Sequence, residues 1–287
     1  MAVAEPPAAL RSAFRGAALV PGMPQLHAQR PAESWRALAD AVRATGEDLR
    51  AAGPDVLVML STQWFTVLGH QLQMDPNPTG TRVDENWYAY DYGTLSYDLT
   101  VDTEFTERWA QEMEGENFEA RRTHYEHFPI DTGVVVAQPL LDPGGTLPVA
   151  LVSTNLYASA EDIGKLALTA LRAGVATGRS LAFVAISGLS SALTQRWIEP
   201  GEDRIESPEH ERWNRRMLDL MAAGRVDEAL AQSDDYAMAA QADSQFRGLA
   251  FLAGTGCLTH PADVRAYGPV WGTGGAVVHW PDTRSTA

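Results

Sequence analysis

Short apolar runs alternate along this 287-residue chain with stretches of helical periodicity, and that alternation predicts its elements. Ala17-Ala18-Leu19-Val20 reads as a strand stopped by Pro21-Gly22. Trp35, Leu38, Ala39, Val42 and Leu49 recur at helical spacing, which predicts an amphipathic helix over about 33–52, ending near Gly53-Pro54. Val56-Leu57-Val58-Met59-Leu60 is apolar throughout, the pattern of a strand covered on both faces, and runs into Ser61-Thr62-Gln63-Trp64. Residues 73–100, rich in Asp, Asn, Pro, Gly and Tyr, read as a long structured excursion. A helix follows from Thr103 to Glu114 with Thr103 as its N-cap. Val134-Val135-Val136 and Val149-Ala150-Leu151-Val152 read as two strands either side of the turn Asp142-Pro143-Gly144-Gly145. Ala158 to Val175 predicts a helix, and Leu181 to Ile186 another buried strand ending at Ser187-Gly188. From His210 to about Ala253 the pattern is mainly helical, and Ala276-Val277-Val278 reads as a last strand.

Strands alternating with helices predict an α/β fold, with a central, largely parallel or mixed sheet flanked by helices. No internal repeat, low-complexity tract or linker breaks the chain, so residues 1–287 are expected to form a single domain. With 45% hydrophobic and 21% charged residues, wholesale disorder is excluded. The formal charge of −15 is wrong for releasing counterions from phosphates and for an anionic bilayer surface, so neither nucleic acid nor membrane is an expected partner. The first residues carry no uninterrupted apolar h-region, and no stretch approaches the roughly 18 apolar residues of a membrane span, so a soluble cytoplasmic protein is expected. Cys257 is the sole cysteine, which excludes an internal disulfide and predicts an inert core thiol.

In open α/β sheets the ligand crevice lies just past the carboxyl ends of strands. Pro21 to His27, Ser61 to Trp64 and Ser187 to Ser191 all occupy such positions, which favours a shared pocket over three unrelated loops. These loops hold one imidazole, His27, and no carboxylate, while Gln25 and Gln63 offer only neutral amides. The expected pocket is polar, metal-poor and suited to hydrogen bonding. His124-Tyr125-Glu126-His127 invites a zinc reading, but its histidines are three apart rather than four, and Pro129 argues against a long helix there. Loop or pocket-wall histidines are the preferred account. His70 closely follows the second loop and can reach the pocket, although a lone His there is more often structural. Trp271 to Gly275 is Gly-rich without the spacing of a dinucleotide loop, and Ser190-Ser191 has no obvious paired base.

Four longer segments resemble a known family. They are Leu19 to Gly22, Ser61 to Trp64 with Gly69-His70-Gln71, Phe128-Pro129-Ile130-Asp131-Thr132-Gly133, and Ala266 to Gly274. From about Ala17 to Val278 the chain resembles the class III extradiol ring-cleavage dioxygenase superfamily, with its protocatechuate 4,5-dioxygenase catalytic-subunit-like fold. Within it, the chain is similar to the non-catalytic alpha-type subunits of aminophenol-cleaving members. The resemblance implies that catalytic relatives carry iron-ligating His residues at the positions of Gly22 and Gln63, with a further loop His near Gln25. It implies a ligating Glu at Gln245 and an acid–base His at Ser191. A glycine has no donor atom, glutamines are neutral, and a serine cannot shuttle protons near pH 7.

The resemblance therefore implies a degenerate metal site, with no catalytic residue, metal ligand or cofactor in this chain. Fe(II) is expected in a catalytic beta-type dioxygenase subunit as partner. The expected function is that of a non-catalytic alpha-type subunit in a heteromeric enzyme cleaving a 2-aminophenol or catechol-like ring. A vestigial pocket of Gln25, Gln63, His70, His127, Asp131, Ser191 and Gln245 is the expected place for a small aromatic ligand. The main alternative is a stand-alone divergent enzyme using this pocket on a small aromatic or amide substrate, with no metal or an unusual one through His70, His124, Glu126 or His127. A third reading is a small-molecule-binding or regulatory module without turnover.

Overall fold

A computed structural model describes residues 6–82, 93–125, 128–194 and 197–282. Its strands are β1 (Phe14–Val20), β2 (Val56–Thr66), β3 (His70–Gln73), β4 (Thr79–Arg82), β5 (Leu95–Asp98), β6 (Ala120–Thr123), β7 (Val149–Asn155), β8 (Leu181–Ile186), β9 (Asp263–Val270) and β10 (Thr273–Pro281). Its helices are α1 (Ala8–Arg11), α2 (Glu33–Ala51), α3 (Thr103–Gly115), α4 (Thr132–Leu141), α5 (Ala160–Thr177), α6 (Pro208–Ala222), α7 (Val226–Ala231), α8 (Ser233–Ala240) and α9 (Arg247–Ala253). Eight strands form one sheet in the order β6-β3-β7-β2-β8-β1-β10-β9, and β4 pairs with β5 apart from it. The centre β7-β2-β8-β1 is parallel, while β10 and β9 continue antiparallel from β1. On the other edge β3 runs antiparallel to β7 and parallel to β6. The sheet is thus mixed, with helices on both faces.

Strand β8 shows why its residues are all apolar. Leu181, Phe183 and Ala185 point into one cluster with Trp109, Leu166 and Phe251, while Ala182, Val184 and Ile186 point into another with Trp35, Leu38 and Val134. Each large side chain so buried contributes roughly 1.5–3 kcal/mol relative to exposure. Two faces covered by helices require two such layers, and the chain supplies both. Cys257 is buried, as the sequence predicts. Among the described residues no helix is long and apolar enough to cross a membrane.

Several local expectations need correction. Val134, Val135 and Val136 are not a strand but the first turns of α4, all buried against the face that holds Trp35 and Leu38. Asp131 caps this helix through its side chain, which accepts from the Val134 amide at 3.2 Å. Three adjacent valines look strand-like because a helix buried all round has no polar face to reveal its period. The N-cap of α3 is Asp102, which accepts from the Phe105 amide at 3.0 Å, rather than Thr103. Strand β2 does not stop at Leu60. Ser61 pairs with Ser153 and Phe65 with Thr154, so Thr62, Gln63 and Trp64 are extra residues bulging from a strand that continues to Thr66. The 73–100 excursion contains the β4–β5 pair, and part of it lies outside the described residues.

Candidate functional site

The carboxyl ends of β1, β2 and β8 meet where the sequence places a crevice, and two different sets of side chains tie them there. On one wall, β1 ends in Val20 and the chain turns through Pro21-Gly22. A Cβ at Gly22 would lie 2.6 Å from Ile186 Cγ2, 2.7 Å from Gly133 Cα and 3.1 Å from Gln63 Nε2. Only a residue without a side chain fits that junction unless its neighbours shift. The bulge in β2 aims Gln63 at it, and Gln63 Nε2 donates to the Gly22 carbonyl at 2.9 Å. The Gln63 backbone N–H donates to Ser61 Oγ at 3.2 Å, and that hydroxyl donates to Asp131 Oδ1 at 2.6 Å. Asp131 Oδ2 is buried without a partner. Burial pushes the Asp131 carboxyl above its usual range, against the opposing bonds from Ser61, Val134 and Gly133.

The other wall is held by Asp243. Its Oδ2 accepts from Thr62 Oγ1 at 2.7 Å, from the Gly188 amide at 2.7 Å and from Ser187 Oγ at 3.2 Å, linking the ends of β2 and β8. Asp243 arrives there because residues 241–243 pair with the loop after β8. The Asp243 amide donates to Leu189 O at 2.7 Å, the Ser191 amide to Gln241 O at 3.0 Å, and Ser190 and Ala242 form a bridge. The next three residues, Ser244, Gln245 and Phe246, have φ of 48°, 55° and 60°, a run that side-chain-bearing residues rarely adopt. Such strain costs on the order of 1–3 kcal/mol per residue and persists only where surrounding contacts hold it. Here Phe246 is buried, and Arg247 anchors the following helix by donating to Leu156 O and Ala158 O, both at 3.0 Å.

The expected pocket residues divide between these walls and elsewhere. Gln63 and Asp131 join one hydrogen-bonded chain with Gly22 and Ser61. Gln25 is buried in the turn after β1, with neither amide atom partnered. Gln245 is exposed, and its Oε1 accepts from Arg247 Nη2 at 3.0 Å. Ser191 is exposed, and its Oγ donates to Gln241 O at 2.5 Å. His70 sits inside β3, its ring edge-on to Phe118 at 5.7 Å and its Nδ1 3.4 Å from Ser153 O. Burial lowers the pKa of that imidazole, and none of the crevice hydrogen bonds described above includes it. His127, with Glu126, lies outside the described residues. His124 is exposed, with Nδ1 3.1 Å from Met74 O. His27 places Nε2 2.9 Å from the Val136 carbonyl, and burial lowers its pKa.

Asp243 escapes a reading of strand ends, because it reaches the crevice from a segment some fifty residues beyond β8. One signal was available. It is the sole charged residue from Tyr236 to Phe246, between small neighbours Ala242 and Ser244. Two carboxylates therefore reach a crevice whose three loops contain none. Among the described residues no group of three or more His, Cys, Asp or Glu is arranged to hold a metal ion. The crevice offers hydrogen-bond donors and acceptors, plus one carboxyl biased towards its protonated form.

Residues 18–268 match the family described as the catalytic LigB subunit of aromatic ring-opening dioxygenase. The chain belongs to the LigB family. It is 34% identical over 264 residues to the 2-aminophenol 1,6-dioxygenase alpha subunit of a Pseudomonas species, across 91% of this chain and 97% of that subunit. It is also 27% identical over 268 residues to the 2-aminophenol 1,6-dioxygenase beta subunit from Pseudomonas, across 86% of this chain and 84% of the other. Among solved structures, the uncharacterized protein JW3007 from Escherichia coli K12 shares the fold, with a TM-score of 0.66 at 14% identity over 92% of this chain and 99% of that one. The family expected from the strand-end motifs and the helix-flanked α/β sheet are both those of a LigB protein.

Proposed function

We propose that this LigB chain is a non-catalytic alpha-type subunit of a two-subunit dioxygenase that opens a 2-aminophenol or catechol-like ring. A beta-type LigB partner holds Fe(II), which supplies the oxygen chemistry. The likeness to both subunits of one such enzyme supports the pairing, with the alpha subunit the nearer of the two by identity.

The observation that carries the non-catalytic part is the Gly22–Gln63 junction. Gly22 supplies no donor and has no room for a side chain, and the Gln63 amide is turned to the Gly22 carbonyl. Gln245 is turned to a guanidinium. A ferrous ion seeks imidazole and carboxylate donors, so these residues do not fit one. Asp243 and Gln63 instead tie the strand ends with hydrogen bonds. The unpartnered amide of Gln25 and Oδ2 of Asp131 remain as groups that a small polar aromatic ligand can satisfy.

The test is iron content and oxygen uptake with 2-aminophenol, for the purified chain alone and after mixing with the Pseudomonas beta subunit. The isolated chain should hold no stoichiometric iron and consume no oxygen, and Gly22→His should gain neither. Stoichiometric iron with ring opening by the isolated chain would overturn the reading.

A further inference from the structure

Beyond these strand ends, one surface among the described residues gathers five exposed large apolar side chains. Past their bulge, β2 and its continuation run beside the end of β7. Thr66 pairs with Asn155, the Leu156 amide donates to Thr66 O at 2.9 Å, and Asn155 Nδ2 donates to Gly69 O at 2.9 Å. These bonds hold segments 65–69 and 155–159 side by side. Phe65, Leu68 and Tyr157 are 60%, 61% and 80% exposed, and Val67 and Leu156 are exposed with them. Neither segment contains a charged residue, although 21% of the chain is charged. Loss of charge combined with exposed aromatic and branched residues is the compositional mark of an interface centre.

The size of the patch and the charge of the chain say what covers it. Five such side chains expose on the order of 500 Å² of apolar surface, near the upper range for a monomer's largest patch. That is enough for the centre of an interface burying roughly 800 Å² per partner. A second copy of this chain would bring another charge of −15 against the first, a repulsion that disfavours close pairing. The occupant is better sought in a different chain, and the relatives of this one include both subunits of a two-subunit enzyme.

We propose that the face formed by Phe65, Val67, Leu68, Leu156 and Tyr157 is the docking surface for the beta-type subunit. This assignment rests on the alpha-type reading and adds where the partner sits. The face adjoins the bulge that carries Gln63, and Arg247 bonds its Leu156 carbonyl while also holding Gln245. A docked partner therefore presses on elements that shape the crevice.

The experiment uses the full chain and the Pseudomonas beta subunit, with the dissociation constant measured by sedimentation. Leu68→Glu and Tyr157→Glu are compared with Met238→Glu and Val175→Glu, which alter exposed apolar residues on α8 and α5. Circular dichroism and the urea midpoint check that each variant folds. Hydrogen exchange on the wild-type chain reads the same face without substitution. Leu68→Glu and Tyr157→Glu should each weaken binding by about 30-fold or more while the two controls bind as wild type, and amides of 65–69 and 155–159 should gain protection from the partner. If the beta subunit binds all four variants equally and those amides stay unprotected, the docking face is wrong and the alpha-type reading survives. If the wild-type chain ignores the beta subunit but self-associates through this face, the occupant is a second copy. If it ignores the beta subunit and stays monomeric, both the docking and the alpha-type reading fall.

Discussion

Asp243 concentrates three donors on one carboxylate oxygen, two of them at 2.7 Å, and these donors belong to separate strand ends. Asp243→Ala leaves the Gly188 amide short of an acceptor and the Thr62 hydroxyl with only its longer bond to Ile186 O at 3.2 Å, at a cost of about 2 kcal/mol. Asp243→Asn keeps an acceptor oxygen without the charge and should lose less. Urea unfolding of the three proteins reads the order directly, and an alanine variant as stable as wild type would remove Asp243 as the tie between β2 and β8. Legibility at this scale follows chain position. Gln63 follows an apolar run, so the strand-end rule finds it, whereas Asp131 is expected through the segment Phe128 to Gly133 that carries the family resemblance. Asp243 is placed by a bridge between Ser190 and Ala242, a contact that no local pattern encodes. Gln245 and His70 show the converse limit. Gln245 is expected from the family resemblance and His70 from its nearness to the second loop, yet one side chain is spent on Arg247 and the other is packed against Phe118.

Elements were legible where their burial has a period or where a short apolar run stands between turn residues. The amphipathic α2 and the two-sided β8 could be read directly, whereas α4 is buried on every side and its valines mimic a strand. The Gly-rich run near the end of the chain proves to be the turn of the β9–β10 hairpin, where Val270 pairs with Thr273. Its central residues Trp271 and Gly272 have φ of 49° and 81°, the doubly left-handed geometry that matches strand twist. A tryptophan is costly there, and Asp203 offsets that cost. Its carboxylate accepts from the Trp271 amide at 2.6 Å, the Gly272 amide at 2.9 Å and Trp35 Nε1 at 2.8 Å, so the turn is bonded to α2 through one side chain. Asp203→Ala should lower stability by about 2–3 kcal/mol and speed hydrogen exchange at Trp271 and Gly272 before the strands themselves. Exchange unchanged at those two amides would show that the hairpin holds its turn unaided.

Across the whole molecule, burial of imidazoles sets how stability responds to acid. His27, His70, His260 and His279 all have pKa values lowered chiefly by burial, so the folded chain takes up their protons less readily than the unfolded chain. His279 is the extreme case. Burial and then the neighbouring Arg265 guanidinium, whose Nη2 lies 2.9 Å from Nδ1, bring it to about 4. Between its ordinary value of 6.5 and about 4 the unfolded state binds the extra proton, so stability is present above that window and is lost as pH falls through it. The loss attributable to His279 is about 3 kcal/mol. Asp131 works in the opposite sense. Its raised pKa makes the folded state the better proton acceptor, so its contribution grows as pH falls towards the usual carboxylate range. Relief of repulsion within a chain of charge −15 also favours acid, but it is common to any variant that leaves the carboxylates alone. Comparing wild type with His279→Gln therefore isolates the imidazole. Glutamine retains an acceptor for Arg265 and cannot titrate, so its stability should decline less between pH 6.5 and 4. Parallel curves for the two proteins would mean that His279 is charged in the fold and that Arg265 bonds elsewhere.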